Sequence, residues 1–158
     1  MKKIGLSICC VLALSVSTFA HSDEHGVKSE KQAKTAIQFR KAVFQLIRSN
    51  MGPLGAMAKG NIPYDPALME ENGERMVQLG MMIGDYFHAD TSSFKVPSDA
   101  KDSVWTNKAD FIAKSEDFIA AAQNLQNVAA AKDEDNYRKA IGGVGGTCKA
   151  CHDDYKKD

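Results

Sequence analysis

Near its C-terminus the chain carries Cys148-Lys149-Ala150-Cys151-His152, and no other stretch restricts the possible folds as much. The C-x-x-C-H spacing is that of covalent haem c attachment, with two thiols for the vinyl groups and a histidine for the iron. On a helix, residues three and four apart share a face, so Cys148 and Cys151 reach the two vinyl positions while His152, four after Cys148, turns its imidazole under the metal. Two other chemistries use the same residue types. A structural zinc site needs four ligands, usually from two such pairs, and this chain has one pair, with His21, His25 and His88 as its remaining histidines. A thioredoxin-type dithiol follows a strand in a βαβ pattern, and no strand-like alternation precedes Cys148.

The opposite end of the chain agrees with a haem bound outside the cytoplasm. Met1-Lys2-Lys3 is a short basic start, Ile4 to Phe19 is a 16-residue mostly apolar run, and Thr18-Phe19-Ala20 is a small-x-small cleavage signal. Residues 1–20 therefore read as a secretory signal peptide and 21–158 as the mature domain. A retained anchor is the alternative, but the run falls short of the about 20 residues a membrane helix needs. Cleavage removes Cys9 and Cys10 and leaves only the motif cysteines. The residue before Cys9 is Ile8 rather than a small one, which argues against a lipoprotein. A mature domain of 138 residues (158 minus 20) can form a core without disulfides. Removing Lys2 and Lys3 from the 20 basic residues leaves 18 against 20 acidic ones, a balance of minus 2. A nucleic-acid partner calls for a basic excess or stripe, and none is present.

The mature chain reads as four helices. His21 to Glu30 is a polar lead-in. From Ser29, the residues Ala33, Ala36, Ile37, Arg40, Phe44, Ile47 and Met51 recur at spacings of three and four, with Gly52-Pro53 as the expected stop. Met51 to Asp65 reads as a loop. Asp65 as cap and Pro66 in the first turn start a second helix, running to about Phe87 with an apolar set of Leu68, Met69, Met76, Val77, Leu79, Gly80, Ile83 and Gly84. Its glycines permit close helix approach, with a partner subunit as one candidate. After a long connection over 88–103, Trp105 precedes a third helix over 106–131, whose stripe is Phe111, Ser115, Phe118, Ala122, Leu125 and Ala129. The last helix starts near Asp133 or Glu134 and carries Tyr137, Ile141, Val144, Cys148, Cys151 and Tyr155 on one face, so the haem-attaching residues continue the core stripe. Gly142, Gly143, Gly145 and Gly146 interrupt it, at roughly 4 kcal/mol in total relative to alanine. Either a macrocycle lies close against them or the run breaks the helix. Four helices without a strand predict an all-α antiparallel four-helix bundle with the cofactor between facing helices.

The arginine of the first helix, Asn50-Met51-Gly52-Pro53-Leu54-Gly55-Ala56-Met57, Pro63-Tyr64-Asp65, Trp105 and Val144 through Tyr155 together resemble the cytochrome c′ family over nearly the whole mature chain. The resemblance implies a periplasmic four-helix bundle with one covalent haem c per chain, commonly a homodimer through its first two helices, and a five-coordinate high-spin iron. It implies Cys148 and Cys151 as thioether attachment points and His152 as axial iron ligand. Arg40 is then placed to meet a haem propionate, although its residue type and position also fit snorkelling to solvent. Phe44, four residues later, becomes the distal blocker where the family more often has leucine; helical spacing alone would make it ordinary core. Lys156, four after His152, stands where the family usually has arginine and loses the planar fork.

These expectations give a protein that binds nitric oxide and carbon monoxide, in scavenging or transport of nitric oxide, and that excludes dioxygen because Phe44 offers no hydrogen-bond donor. The alternative is a six-coordinate electron carrier with a methionine opposite His152 and an unknown periplasmic redox partner. A peroxidase is the weakest reading, because no distal acid-base residue is in view. The chain is expected to be a binding protein rather than an enzyme, with slow nitric oxide reduction the one reaction left open.

Overall fold

The structure, a computed structural model, describes residues 26–157; the expected signal peptide, with Cys9 and Cys10, lies outside the described residues. Helix α1 spans Glu30–Ala58. Ser29 caps it by accepting from the Gln32 amide at 3.2 Å, while the Gln32 side chain accepts from the Lys28 amide at 2.8 Å. The stop expected at Gly52-Pro53 does not occur, and the helix runs through Pro53. An interior proline costs about 3 kcal/mol. Leu54 and Met57, both essentially sealed from solvent, lie beyond it, and burying two such side chains contributes about 3–6 kcal/mol. The true stop is Gly60, at φ +75°, where the Gly60 amide bonds Met57 O and the Asn61 amide bonds Ala56 O, both at 2.9 Å.

Helix α2, Pro66–Tyr86, starts as expected, with the Asp65 carboxylate accepting from the Leu68 amide at 3.2 Å. The third expected helix is present as α4, Lys108–Ala130, and is preceded by a single unexpected turn α3, Ser103–Thr106, which contains Trp105, with Asn107 in a non-helical conformation between them. All six residues of the expected α4 stripe are buried. A short 3-10 turn over Glu134–Asn136 leads into α5, Tyr137–Tyr155. No helix break occurs at the glycine run, which is α-helical throughout.

The four long helices form an antiparallel bundle, with no strand among the described residues beyond an isolated Ala100–Lys156 bridge. No helix of the described residues is long and apolar enough to cross a membrane. The core holds Ile47, Leu54, Met69, Met76, Phe118, Leu125 and Val144. Gly73 and Gly80 set the α2–α4 separation. A Cβ on Gly73 would sit 3.0 Å from the Gln126 backbone nitrogen, and one on Gly80 only 2.6 Å from Ile119 Cγ1. Close approach at Gly80 is therefore made to α4 of the same chain and not to a partner subunit. Gly84 makes ordinary contact, 3.7 Å from Ile112 Cδ1.

Within the chain, no neighbouring atom within 4 Å occupies the side-chain space of Gly142, Gly143, Gly145 or Gly146. Gly80→Ala should lower stability by about 1 kcal/mol, the difference between overpacking and helix propensity. Gly143→Ala, on an exposed turn, should raise it by up to about 1 kcal/mol. Thermal unfolding of the two variants checks the opposed signs.

Candidate functional site

Helices α1, α4 and α5, with Ile83 and Phe87 at the end of α2, Val104 of α3 and residues 98–100 of the long connection, line a largely apolar cavity of about 680 Å³, inside the roughly 300–1,000 Å³ range of ligand sites. The α5 wall carries Gly145, Cys148, Cys151, His152 and Tyr155. Val144, Ile141 and Tyr155 are sealed in the core, which fixes the rotation of α5 and turns both half-buried thiols inward. Both cysteines are free, and burial pushes each thiol above its ordinary value. For His152, burial and then the Lys156 ammonium hold the imidazole below its ordinary value, against a smaller opposing effect of Asp153. The neutral ring is the form that ligates a metal.

The end of α5 is tied down by the connection before α3. The Lys101 amide donates to Tyr155 O at 2.9 Å and the Lys157 amide to Asp99 O at 2.7 Å. Lys101 Nζ reaches Asp153 O at 3.0 Å and Ser103 Oγ reaches Asp154 O at 3.3 Å. Orphan carbonyls of the last turn thus acquire partners. On the inner side, Tyr155 Oη donates to Asp110 Oδ2 at 2.5 Å and accepts from Asn107 Nδ2 at 3.1 Å. Burial, followed by Asp110, pushes the Tyr155 phenol up to about 12. Lys114 pairs with Asp154 at 3.1 Å on the same flank.

The residues expected at the site all line this cavity. Phe44, half-buried on α1, meets the ring of Phe87 edge-on at 6.1 Å. Lys156 is exposed at the α5 cap, its Nζ on the Lys157 carbonyl at 3.3 Å. Arg40 is only 4% exposed and does not snorkel. Its Nε donates to Tyr86 O and its Nη1 to Thr91 Oγ1, both at 2.8 Å, and its Nη2 donates to Ala89 O. Its guanidinium carbon lies 4.7 Å from the Phe87 centroid and 5.1 Å from that of Trp105. Burial lowers its pKa to about 10, with Asp90 opposing, so it remains a cation at neutral pH. Three of its five N–H groups are engaged within the chain, leaving two.

Sequence reasoning missed Phe87, Ser115 and Lys114 as cavity residues. Ser115 was legible as core but not as lining, because one helical stripe serves both. Met51 was expected at a helix end; since α1 continues past it, Met51 also lines the cavity, two turns beyond Phe44.

Among the described residues, no three His, Cys, Asp or Glu side chains are grouped to hold a metal ion, which leaves the zinc reading without a ligand set. Two inward thiols three residues apart, an adjacent neutral imidazole, apolar walls and cations at the rim fit haem c. The profile of the Cytochrome C′ family matches residues 35–156. The chain belongs to the cytochrome c′ family. The cytochrome c′ of Cereibacter sphaeroides is 36% identical over 78% of this chain and 84% of its own. Cytochrome c prime from Shewanella frigidimarina is 36% identical in sequence and superimposes with a TM-score of 0.72, over 80% of this chain and 97% of its own. A nitric oxide complex of a variant cytochrome c prime from Alcaligenes xylosoxidans, 32% identical, superimposes with a TM-score of 0.69 over 80% of this chain and 96% of its own. Membership of the cytochrome c′ family brings with it haem c binding.

Arg40→Met would strand two backbone carbonyls and a buried hydroxyl. It should lower the stability of the haem-loaded protein by about 3 kcal/mol, measured by urea unfolding.

Proposed function

We propose that this cytochrome c′ is a periplasmic protein that binds nitric oxide and carbon monoxide at a single covalent haem c, in scavenging or carrying nitric oxide, and that it acts by binding rather than catalysis. Cys148 and Cys151 would hold the group through thioethers, His152 would be the axial ligand, and Arg40 would offer its two uncommitted N–H groups to a propionate. When bound, haem c supplies an iron with one position for a diatomic gas. The carrying observation is Phe44 on the α1 wall of the cavity. A benzyl group cannot ligate iron, and it offers no donor to a bound gas. Dioxygen, which carries partial negative charge when bound, depends on polar surroundings more than nitric oxide or carbon monoxide does. The nitric oxide complexes solved for the Alcaligenes protein support the choice of gas. Lys156, at the His152 end of the cavity, keeps a positive charge there without arginine's fork.

A second reading has one observation in its favour. Met51 is the methionine that lines the cavity, and a methionine opposite His152 would make a low-spin electron carrier. The absorption spectrum of the ferrous protein separates the two. A high-spin spectrum altered by both gases fits gas binding, whereas a low-spin spectrum indifferent to carbon monoxide would overturn it in favour of Met51. Under gas binding, Phe44→Ala should speed carbon monoxide association roughly tenfold, equivalent to about 1.4 kcal/mol of barrier.

The same reading includes a homodimer. Phe39 and Leu46 on α1 and Met81 on α2 are each more than half exposed, an apolar set on the two helices proposed to meet a second copy. Sedimentation of the mature protein should give twice the monomer mass; a monomer at micromolar concentration would exclude this assembly.

A further inference from the structure

Phe87 lies one residue past the end of α2, and its ring is buried against the cavity. Ring contacts hold it on several sides: Phe111 with centroids 5.0 Å apart, Trp105 at 6.5 Å, and the Arg40 guanidinium carbon 4.7 Å above it. Its backbone is held as well. The Trp105 indole N–H donates to Phe87 O at 3.2 Å, and Arg40 binds the carbonyls of Tyr86 and Ala89 on either side. The remaining contact is to Phe44, edge-on at 6.1 Å with planes 67° apart. Phe44 is half-buried, whereas Phe87 is fixed in both ring and backbone.

We propose that Phe87 is a positioning residue for gas entry: anchored by Arg40 and Trp105, it presents a fixed ring that holds the Phe44 ring over the ligand position. This deepens the gas-binding reading and rests on it. To admit a diatomic, the Phe44 ring has to turn, and it turns against a neighbour that cannot give way. An edge-to-face aromatic contact is of a size that changes a rate by about two- to tenfold. The specificity of the site then depends on a residue from outside the two helices that carry Phe44 and His152.

The test is carbon monoxide association with four ferrous holoproteins: wild type, Phe87→Leu, Phe44→Ala and the double variant. Phe87→Leu should speed association about two- to tenfold when Phe44 is present and change it by less than about twofold in the Phe44→Ala background, the non-additivity of residues acting as a unit. Equal acceleration in both backgrounds, or none with Phe44 present, would overturn the proposal while leaving Phe44 as the barrier. Unchanged association in Phe44→Ala alone would overturn the gas-barrier reading and this proposal with it. If Phe87→Leu fails to fold, Phe87→Ile keeps an apolar side chain without the aromatic ring and without an atom that ligates iron, and the same comparison applies.

Discussion

One face of α5 has to satisfy two demands, and much of the bundle follows from that. Tyr137, Ile141, Val144 and Tyr155 must be sealed from water, while Cys148 and Cys151 must stand at a cavity. All six lie on one stripe, so rotating the helix to improve either set would spoil the other. Each buried aliphatic contributes about 1.5–3 kcal/mol, so the core residues, against which both cysteines pack, hold the thiols in register. The glycines of α5 belong to the same demand: Gly145 faces the cavity, and Gly142, Gly143 and Gly146 are exposed.

A buried arginine completes the opposite side. Charge removed from water is costly unless it is partnered, and Arg40 finds one partner in the last carbonyl of α2, where the helix dipole is negative, and two more, Ala89 O and Thr91 Oγ1, in the connection that follows. The cation that a reader of the sequence assigns to the cofactor is thus already part of the fold. Its place over Phe87 ties the end of α2 to the α1 wall.

The elements of this bundle were legible because period-3.6 stripes are strong signals. The α4 stripe from Phe111 to Ala129 and the Asp65-Pro66 start of α2 stood in the sequence as they stand in the fold. Local breakers misled where tertiary burial outweighed them. Pro53 signals a stop, but Leu54 and Met57 are worth more in the core than the lost hydrogen bond, and the glycines of α5 signal a break that the flanking Val144 and Ile141 prevent. Motif chemistry located Cys148, Cys151 and His152, and family resemblance added Arg40, Phe44 and Lys156, all now found at one cavity. Phe87 was not legible, since its role depends on Arg40 and Trp105, which are distant in sequence. Nothing at position 87 itself marks that meeting.

The seal over the last turn of α5 has a different character from the rest of the site. Two of its bonds, from the Lys101 and Lys157 amides, join main chain to main chain. Such bonds are indifferent to side-chain identity, apart from proline at the donor. The hold on the histidine-bearing turn therefore survives side-chain replacement at positions 101 and 157, whereas Asp99 and Ala100, which line the cavity, are constrained by the space their side chains share with it.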